Sequence, residues 1–177
     1  MTETHTAPEL DQSFVADFFE RWAAAWNSHD PEQLLALMTE DIVYDDSAWP
    51  RTMHGHDDVR EFLASAWRAL PDLEFRMTEG PFVLAGEPKA AFYWTGTGTF
   101  TGPLDPPGFA PTGARIEFDG FDLHEYRDGR VCRLRILFDM LDVSRQIGLM
   151  PQQGSRLEKA GAAAQRAGVR ARDRIRR

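Results

Sequence analysis

The stretch that most constrains this chain is Arg115–Asp142, RIEFDGFDLHEYRDGRVCRLRILFDMLD. Two long β-type segments flank Arg127-Asp128-Gly129-Arg130. Asp-Gly between such segments is a strong short hairpin signal, because both turn positions take positive φ. Asp119, Asp122, His124, Glu125 and Asp139 are spread through the hairpin. Central strands rarely carry that many ionisable groups unless some are on the surface or in a site. Which of them face inward decides how the hairpin is read.

Three helical segments precede it. Phe14, Phe18, Trp22 and Trp26 recur every fourth residue, with Val15 and Phe19 beside them, which predicts a helix over Gln12–Asn27. Asp30-Pro31 restarts a helix, with Asp as N-cap, Pro at the first helical position and Gln33 in the capping-box place. Asp41–Asp45 reads as a short strand and Trp49–Gly55 as loop. Asp58-Val59-Arg60-Glu61 has capping-box spacing and opens a third helix that stops at Pro71-Asp72. The period then switches to two: Leu73, Phe75 and Met77 alternate with polar residues, and Phe82–Ala85 and Lys89–Phe100 read as two further strands. A Pro/Gly-rich loop, Gly102–Gly113, leads into the hairpin, and a short helix is expected near Leu141–Ile147.

Helices first and antiparallel strands afterwards predict an α+β fold, with three N-terminal helices packed on one face of a curved sheet. Residues 1–11 are polar and expected to be disordered, 12–151 form one domain, and the tail from Gln152, rich in Ala, Gly and Arg, reads either as a frayed helix or as disordered chain. Five Trp and twelve Phe point to an interior lined with aromatics. The net charge of −8 is uneven: residues 156–177 hold eight basic and two acidic groups, a balance of +6 that leaves −14 on the rest. An acidic body argues against nucleic acid as the partner. Cys132 is the single cysteine, so no intrachain disulfide forms, which fits a reducing compartment. MTETHTAPEL has neither a basic region nor an apolar run, and no stretch approaches membrane-spanning length. No signal peptide and no membrane contact are expected, and the cytoplasm is the expected location.

Trp94–Met150 resembles the SnoaL-like polyketide cyclases, a branch of the nuclear-transport-factor-2-like superfamily. The residues that carry this are Gly96-Thr97-Gly98-Thr99-Phe100-Thr101-Gly102, Pro111-Thr112-Gly113, Asp128-Gly129-Arg130-Val131 and Arg145-Gln146-Ile147-Gly148. Trp26-Asn27-Ser28-His29-Asp30, Glu40-Asp41-Ile42-Val43-Tyr44 and Gly55 agree more loosely, so the resemblance spans roughly 14–150. It implies a cone of curved sheet and helices around one apolar pocket, a small hydrophobic substrate, and a homodimer. The related limonene epoxide hydrolases hold a water with Tyr-x-Asn on the first strand, matched here by Tyr44-Asp45-Asp46. Their Arg-x-Asp is absent from Phe92-Tyr93-Trp94-Thr95, and the family's catalytic Asp on the last strand falls on Ile136, in Leu134-Arg135-Ile136.

Strand alternation then sorts the hairpin. With Ile136 facing the pocket, Cys132, Leu134 and Phe138 face it too, opposite Phe118, Gly120, Asp122 and His124. A carboxylate in an apolar pocket is pushed up by desolvation and becomes a usable acid or base near neutrality. Asp122 and His124 share a face, and a His beside a carboxylate tunes both. A solvated face or a dimer interface would explain the same pair. Tyr44 and Asp46 share a face of the first strand and are candidates to hold a substrate oxygen or water, unless they are a strand-end tyrosine and a turn aspartate. Trp26, placed near the pocket mouth by the resemblance, Trp49, Tyr93, Phe118, Leu134, Ile136 and Phe138 are candidate substrate-binding residues, with core or loop packing as the alternative for the first three. Asp139 is better read as an N-cap than as an acid.

His54-Gly55-His56-Asp57 has chelate spacing but lacks further ligands, so no metal is expected. Gly96–Gly102 lies in a strand with no helix after it, so no phosphate cradle or cofactor is expected. Cys132 reads as core rather than nucleophile. The leading expectation is a cofactor-independent enzyme that cyclises or isomerises a hydrophobic, oxygenated, polyketide-like substrate. A non-catalytic binding protein of the same fold and an epoxide hydrolase are the alternatives.

Overall fold

The computed structural model describes residues 10–175. In chain order they form α1 (Gln12–Asn27), α2 (Pro31–Leu35), β1 (Met38–Asp46), β2 (Met53–His54), α3 (Gly55–Ala69), β3 (Glu74–Val83), β4 (Lys89–Thr99), β5 (Arg115–Arg127), β6 (Arg130–Phe138), α4 (Met140–Gln146) and α5 (Arg156–Ile175). The fold is α+β, with one six-stranded mixed sheet ordered β2-β1-β6-β5-β4-β3. β1 runs parallel to β6, and the other neighbouring pairs are antiparallel.

Asp128 and Gly129 both take positive φ, +52° and +76°, and close the β5–β6 hairpin in two residues. Tyr126 pairs with Val131, and Glu125 pairs with Arg133, so Cys132 is the extra residue of a bulge. This corrects the alternation predicted for β6. Val131 takes the buried place expected for Cys132, whose thiol instead donates to the Glu125 carbonyl at 3.4 Å. Beyond the bulge Leu134 and Ile136 are buried, while Arg133 and Arg135 stand outside near Asp45.

α1 lies on the inner face of the sheet. Asp11 caps it, accepting from Ser13 N at 2.9 Å. The every-fourth-residue stripe buries Phe18, Trp22 and Trp26, and Phe19 stacks on Phe92 of β4 at 3.6 Å. The predicted disordered segment lies outside the described residues except for Leu10, which packs against the core, and Asp11. Asp30 caps α2 as read from Asp-Pro. α3 begins at Gly55, three residues before the predicted box. Asp58 accepts from His54 N at 2.9 Å and pairs with Arg51, so it braces the helix start from inside the first turn. β1 and β2 come between α2 and α3, so the helices are not one uninterrupted block. The two strand pieces predicted within 73–85 are one strand, β3, whose register against β4 shifts twice, between Met77 and Glu79 and between Glu79 and Phe82.

α5 forms a regular helix whose side chains from Lys159 to Arg174 are exposed. No helix among the described residues is long and apolar enough to cross a membrane.

The loop between β4 and β5 is pinned to the end of α3. Thr101 N and Gly102 N both donate to the Ala69 carbonyl, at 3.1 and 3.2 Å, and Ser65 Oγ donates to the Asp105 carbonyl at 2.5 Å. A Cβ at Gly102 would lie 1.8 Å from the Arg68 carbonyl oxygen, which is backbone and has no room to yield. Gly102→Ala is therefore expected to destabilise the fold by about 1–3 kcal/mol in urea unfolding. Unchanged stability would mean that this close approach does not hold the loop.

Candidate functional site

The register of the central strands builds the site. Asp46 of β1 and Asp122 of β5 are both paired with Ile136 of β6, so the three form one row across the sheet. Tyr44, Leu134 and His124 form the next row. Neighbouring strands lie about 4.8 Å apart, which puts the two carboxylate-bearing residues about 10 Å apart at their Cα atoms, with Ile136 between them. Both acids line one cavity of about 390 Å³.

Asp122 is 2% exposed, and the carboxylate accepts two hydrogen bonds. Trp94 Nε1 donates to Oδ1 at 2.6 Å, and His124 Nε2 lies 3.3 Å from Oδ2. The Tyr126 hydroxyl is 3.3 Å from His124 Nδ1. Asp122, His124 and Tyr126 thus form a relay along one face of one strand, at steps of two. With the proton of neutral His124 on Nε2, that ring donates to Asp122 and accepts from Tyr126. His124 is fully buried among aromatic rings, with Trp22 4.7 Å and Phe92 5.0 Å away, and is not in the cavity wall. Burial pushes the Tyr126 hydroxyl well above its ordinary value, and the nearby Asp122 charge adds to this.

Trp94 reaches Asp122 because Gly120 lies opposite it on β5. A Cβ there would come within 2.1 Å of the indole ring. Asp46 accepts from Ala48 N at 2.7 Å and from the Tyr44 hydroxyl at 3.2 Å. Desolvation raises the Asp46 carboxyl to about 7, the Asp122 charge pushes the same way, and the Ala48 and Tyr44 hydrogen bonds oppose it. Burial likewise pushes the Tyr44 hydroxyl well above its ordinary range.

Of the predicted residues, Asp46, Asp122, Trp26, Trp49, Phe118, Ile136 and Phe138 line the cavity. Tyr44 and His124 stand behind the two acids as their hydrogen-bond partners. Leu134 is fully buried in the core between Tyr44 and His124 and does not line the cavity. Tyr93 is on the wrong face: Phe92 and Trp94 are buried inward, so Tyr93 points outward, where burial and the Asp119 carboxylate raise its hydroxyl. Asp139 caps α4, accepting from Leu141 N and Asp142 N at 2.9 and 3.0 Å. His54 sits at the exposed start of α3, and among the described residues no three His, Cys, Asp or Glu side chains are gathered as a metal site.

Sequence reasoning missed Trp94 and Tyr126. Strand alternation could have reached Tyr126, two residues past His124. Trp94 needed the β4–β5 register, for which Gly120 was the only local sign. It also missed the apolar far end of the cavity, where Leu104, Pro107 and Phe109 of the loop face Ile147 and Met150 beyond α4.

The SnoaL-like domain family matches residues 19–134, and the chain belongs to that family. No curated protein sequence matches. Among solved structures, the chain is similar to AclR from Streptomyces galilaeus, at 20% identity and a TM-score of 0.68 over 92% of this chain and 98% of that one. A protein of Jannaschia sp. CCS1 named for the SnoaL-like polyketide cyclases aligns at 19% identity and a TM-score of 0.68, over 82% and 100% of the two chains. TsrD from Streptomyces laurentii aligns at 25% identity and 0.64, over 80% and 100%. These likenesses establish the shared fold.

The raised pKa of Asp46 links stability to pH. An unfolded chain releases this proton near pH 3.9 and the native one near 7, so below about pH 4 both states hold it and no penalty exists. Between those values native stability falls as pH rises, and the loss is complete above about 7. Asp46→Asn carries no charge to desolvate. At pH 8 it is expected to be more stable than the parent chain, by at most about 4 kcal/mol in urea unfolding. The difference should close by pH 4; a gap that does not change with pH would overturn the assignment.

Proposed function

We propose that this chain is a cofactor-independent small-molecule enzyme that cyclises or isomerises a hydrophobic, oxygenated substrate by proton transfer. The observation that carries this reading is the pair of carboxylates in one strand row, on either side of Ile136, opening on one apolar cavity. Ile136 occupies the place where the family resemblance puts a catalytic Asp. Here the carboxylates stand one strand to each side of it.

The two acids have different surroundings, which is how a pair of like groups takes opposite roles. Asp46, poised near neutrality, gives its proton to a substrate oxygen as charge develops there. Asp122, held by Trp94 and His124, accepts a proton from the substrate carbon skeleton. Trp49 lines the cavity, and its buried indole N–H has no acceptor among the described residues, so it can donate to the same or a second substrate oxygen. His124 and Tyr126 are positioning residues. The apolar wall excludes water, which strengthens each of these interactions.

In this reading the sheet and helices form a cone around the cavity, and the enzyme works in the cytosol. Two copies pair through the outer sheet face, where Phe82, Phe121 and Leu137 are exposed and Phe82 stacks on Phe121 at 6.4 Å. Light scattering after size exclusion should give a dimer that Leu137→Asp converts to a monomer. A monomeric parent chain would remove that part of the reading.

The catalytic roles are tested by turnover on a substrate found by screening hydrophobic aromatic ketones and hydroxyketones. Asp46→Asn and Asp122→Asn are each expected to lower kcat by about 100-fold or more. Activity of the parent chain should fall as pH rises through about 7, as Asp46 loses its proton. Removing the Asp122 charge makes ionisation of Asp46 easier, so the residual activity of Asp122→Asn should fall at lower pH. Unchanged turnover in either variant would overturn its role.

A further inference from the structure

The walls of the cavity restrict the charge of what it takes. Among the described residues only two of its lining side chains are acids or bases, Asp46 and Asp122, and no Lys, Arg or His lines it. The aromatic rings around them are continuous. Trp49 packs edge-on to Phe62 at 5.5 Å, Phe62 meets Trp26 at 6.3 Å, and Trp26 meets Phe75 at 5.1 Å. From Phe75 the chain of rings runs to Trp94 at 4.9 Å and on to Phe118 at 5.6 Å. It therefore extends from Trp49, three residues from Asp46, to the indole that holds Asp122.

Aromatic faces carry negative potential and attract cations, most strongly where water is excluded. Carboxylates set among such faces add to the same field, and among the cavity-lining residues no basic side chain cancels it. An anionic ligand would have to enter against both. We propose that the cavity selects hydrophobic organic cations, substrates that carry an amine or ammonium group beside their apolar skeleton, and rejects carboxylates. This rests on the reading of the cavity as the substrate site and adds the charge of the substrate class.

The groups facing Asp46 that can titrate are Tyr44 on its own strand and Asp122 on β5. The cavity-lining residues of β6, α1, α3 and α4, among them Ile136, Trp26, Phe62 and Met140, hold no charge. His124 lies behind Asp122 and outside the lining. At pH 6, where Asp46 keeps the proton it gives in catalysis, the rings and Asp122 supply the field; toward pH 8 the Asp46 carboxylate adds to it, and there proton and ligand cation compete for Asp46. Binding of a cation should strengthen as pH rises from 6 to 8, in the direction set by a carboxyl near 7.

The test uses the full chain and two probes of one shape, benzyltrimethylammonium and its uncharged isostere neopentylbenzene, titrated by tryptophan fluorescence at pH 6 and pH 8. At pH 8 the cation is expected to bind roughly tenfold more tightly than the isostere. That preference should shrink at pH 6 and in Asp46→Asn, while binding of the isostere stays the same. Equal or tighter binding of the isostere at pH 8, or failure of the cation to bind, overturns the inference. If the isostere binds and the cation does not, the cavity remains a substrate site and the acid/base reading stands on its own turnover test.

Discussion

The site depends on one extra residue. Cys132 is the bulge in β6, and the bulge resets which side chains of that strand point inward. Counted from the Asp128-Gly129 turn without it, Val131, Arg133 and Arg135 would share the inner face. Two guanidinium groups would then enter the aromatic core unpaired, at a cost of several kcal/mol each. With the bulge, Val131 stays inside, Arg133 and Arg135 go out to Asp45, and Leu134 and Ile136 go in. Both strand rows of the site pass through those last two residues. A slip of one residue would exchange the faces.

Placing two carboxylates in an apolar layer is costly, and the structure offsets that cost differently for each. Asp122 is matched by donors from two directions: Trp94 across the sheet and His124 along its own strand. The close approach of Trp94 is possible only over a residue without a side chain, so Gly120 belongs to the site although it does not line the cavity. Asp46 has one backbone N–H and one hydroxyl, too little to hold its charge, and the proton stays on to about pH 7. The two acids therefore stand in different surroundings, because they differ in donors.

Much of the fold was legible from period and punctuation. The stripe Phe14, Phe18, Trp22, Trp26 placed α1 to the residue, Asp30-Pro31 placed the start of α2, and Asp-Gly placed the hairpin. Errors came where a local rule met a tertiary one. Asp58 has capping spacing, but its carboxylate is drawn to Arg51 and the His54 N–H, and the helix starts earlier. Phe82–Ala85 read as a strand separate from the alternation over Leu73–Met77, while pairing with β4 carries β3 through Gly80-Pro81 with two shifts in register. That Asp122 shares a face with His124, and Tyr44 with Asp46, was legible because alternation within one strand needs no partner. Tyr93 was misplaced against the same rule: its buried neighbours Phe92 and Trp94 already claimed the inner face. Trp94 was out of reach, since its role depends on a residue 28 positions away.

The cavity wall divides into a part carried on strands and helices and a part carried on connecting chain. Its acids, and the rings of Trp22, Trp26, Phe62, Phe75 and Trp94, stand on strands and on the long helices, where rotamers are locked by packing. Its far wall is the β4–β5 loop and the chain after α4, which contribute apolar contact and no charge. Loops accept substitution more freely than strands, so the far wall can change without moving the two acids. The Ile136 position makes sense in those terms. An aliphatic side chain between the two carboxylates keeps an apolar group between them in the cavity wall. A third carboxyl there would add charge to a row in which one of the two acids already keeps its proton to about pH 7.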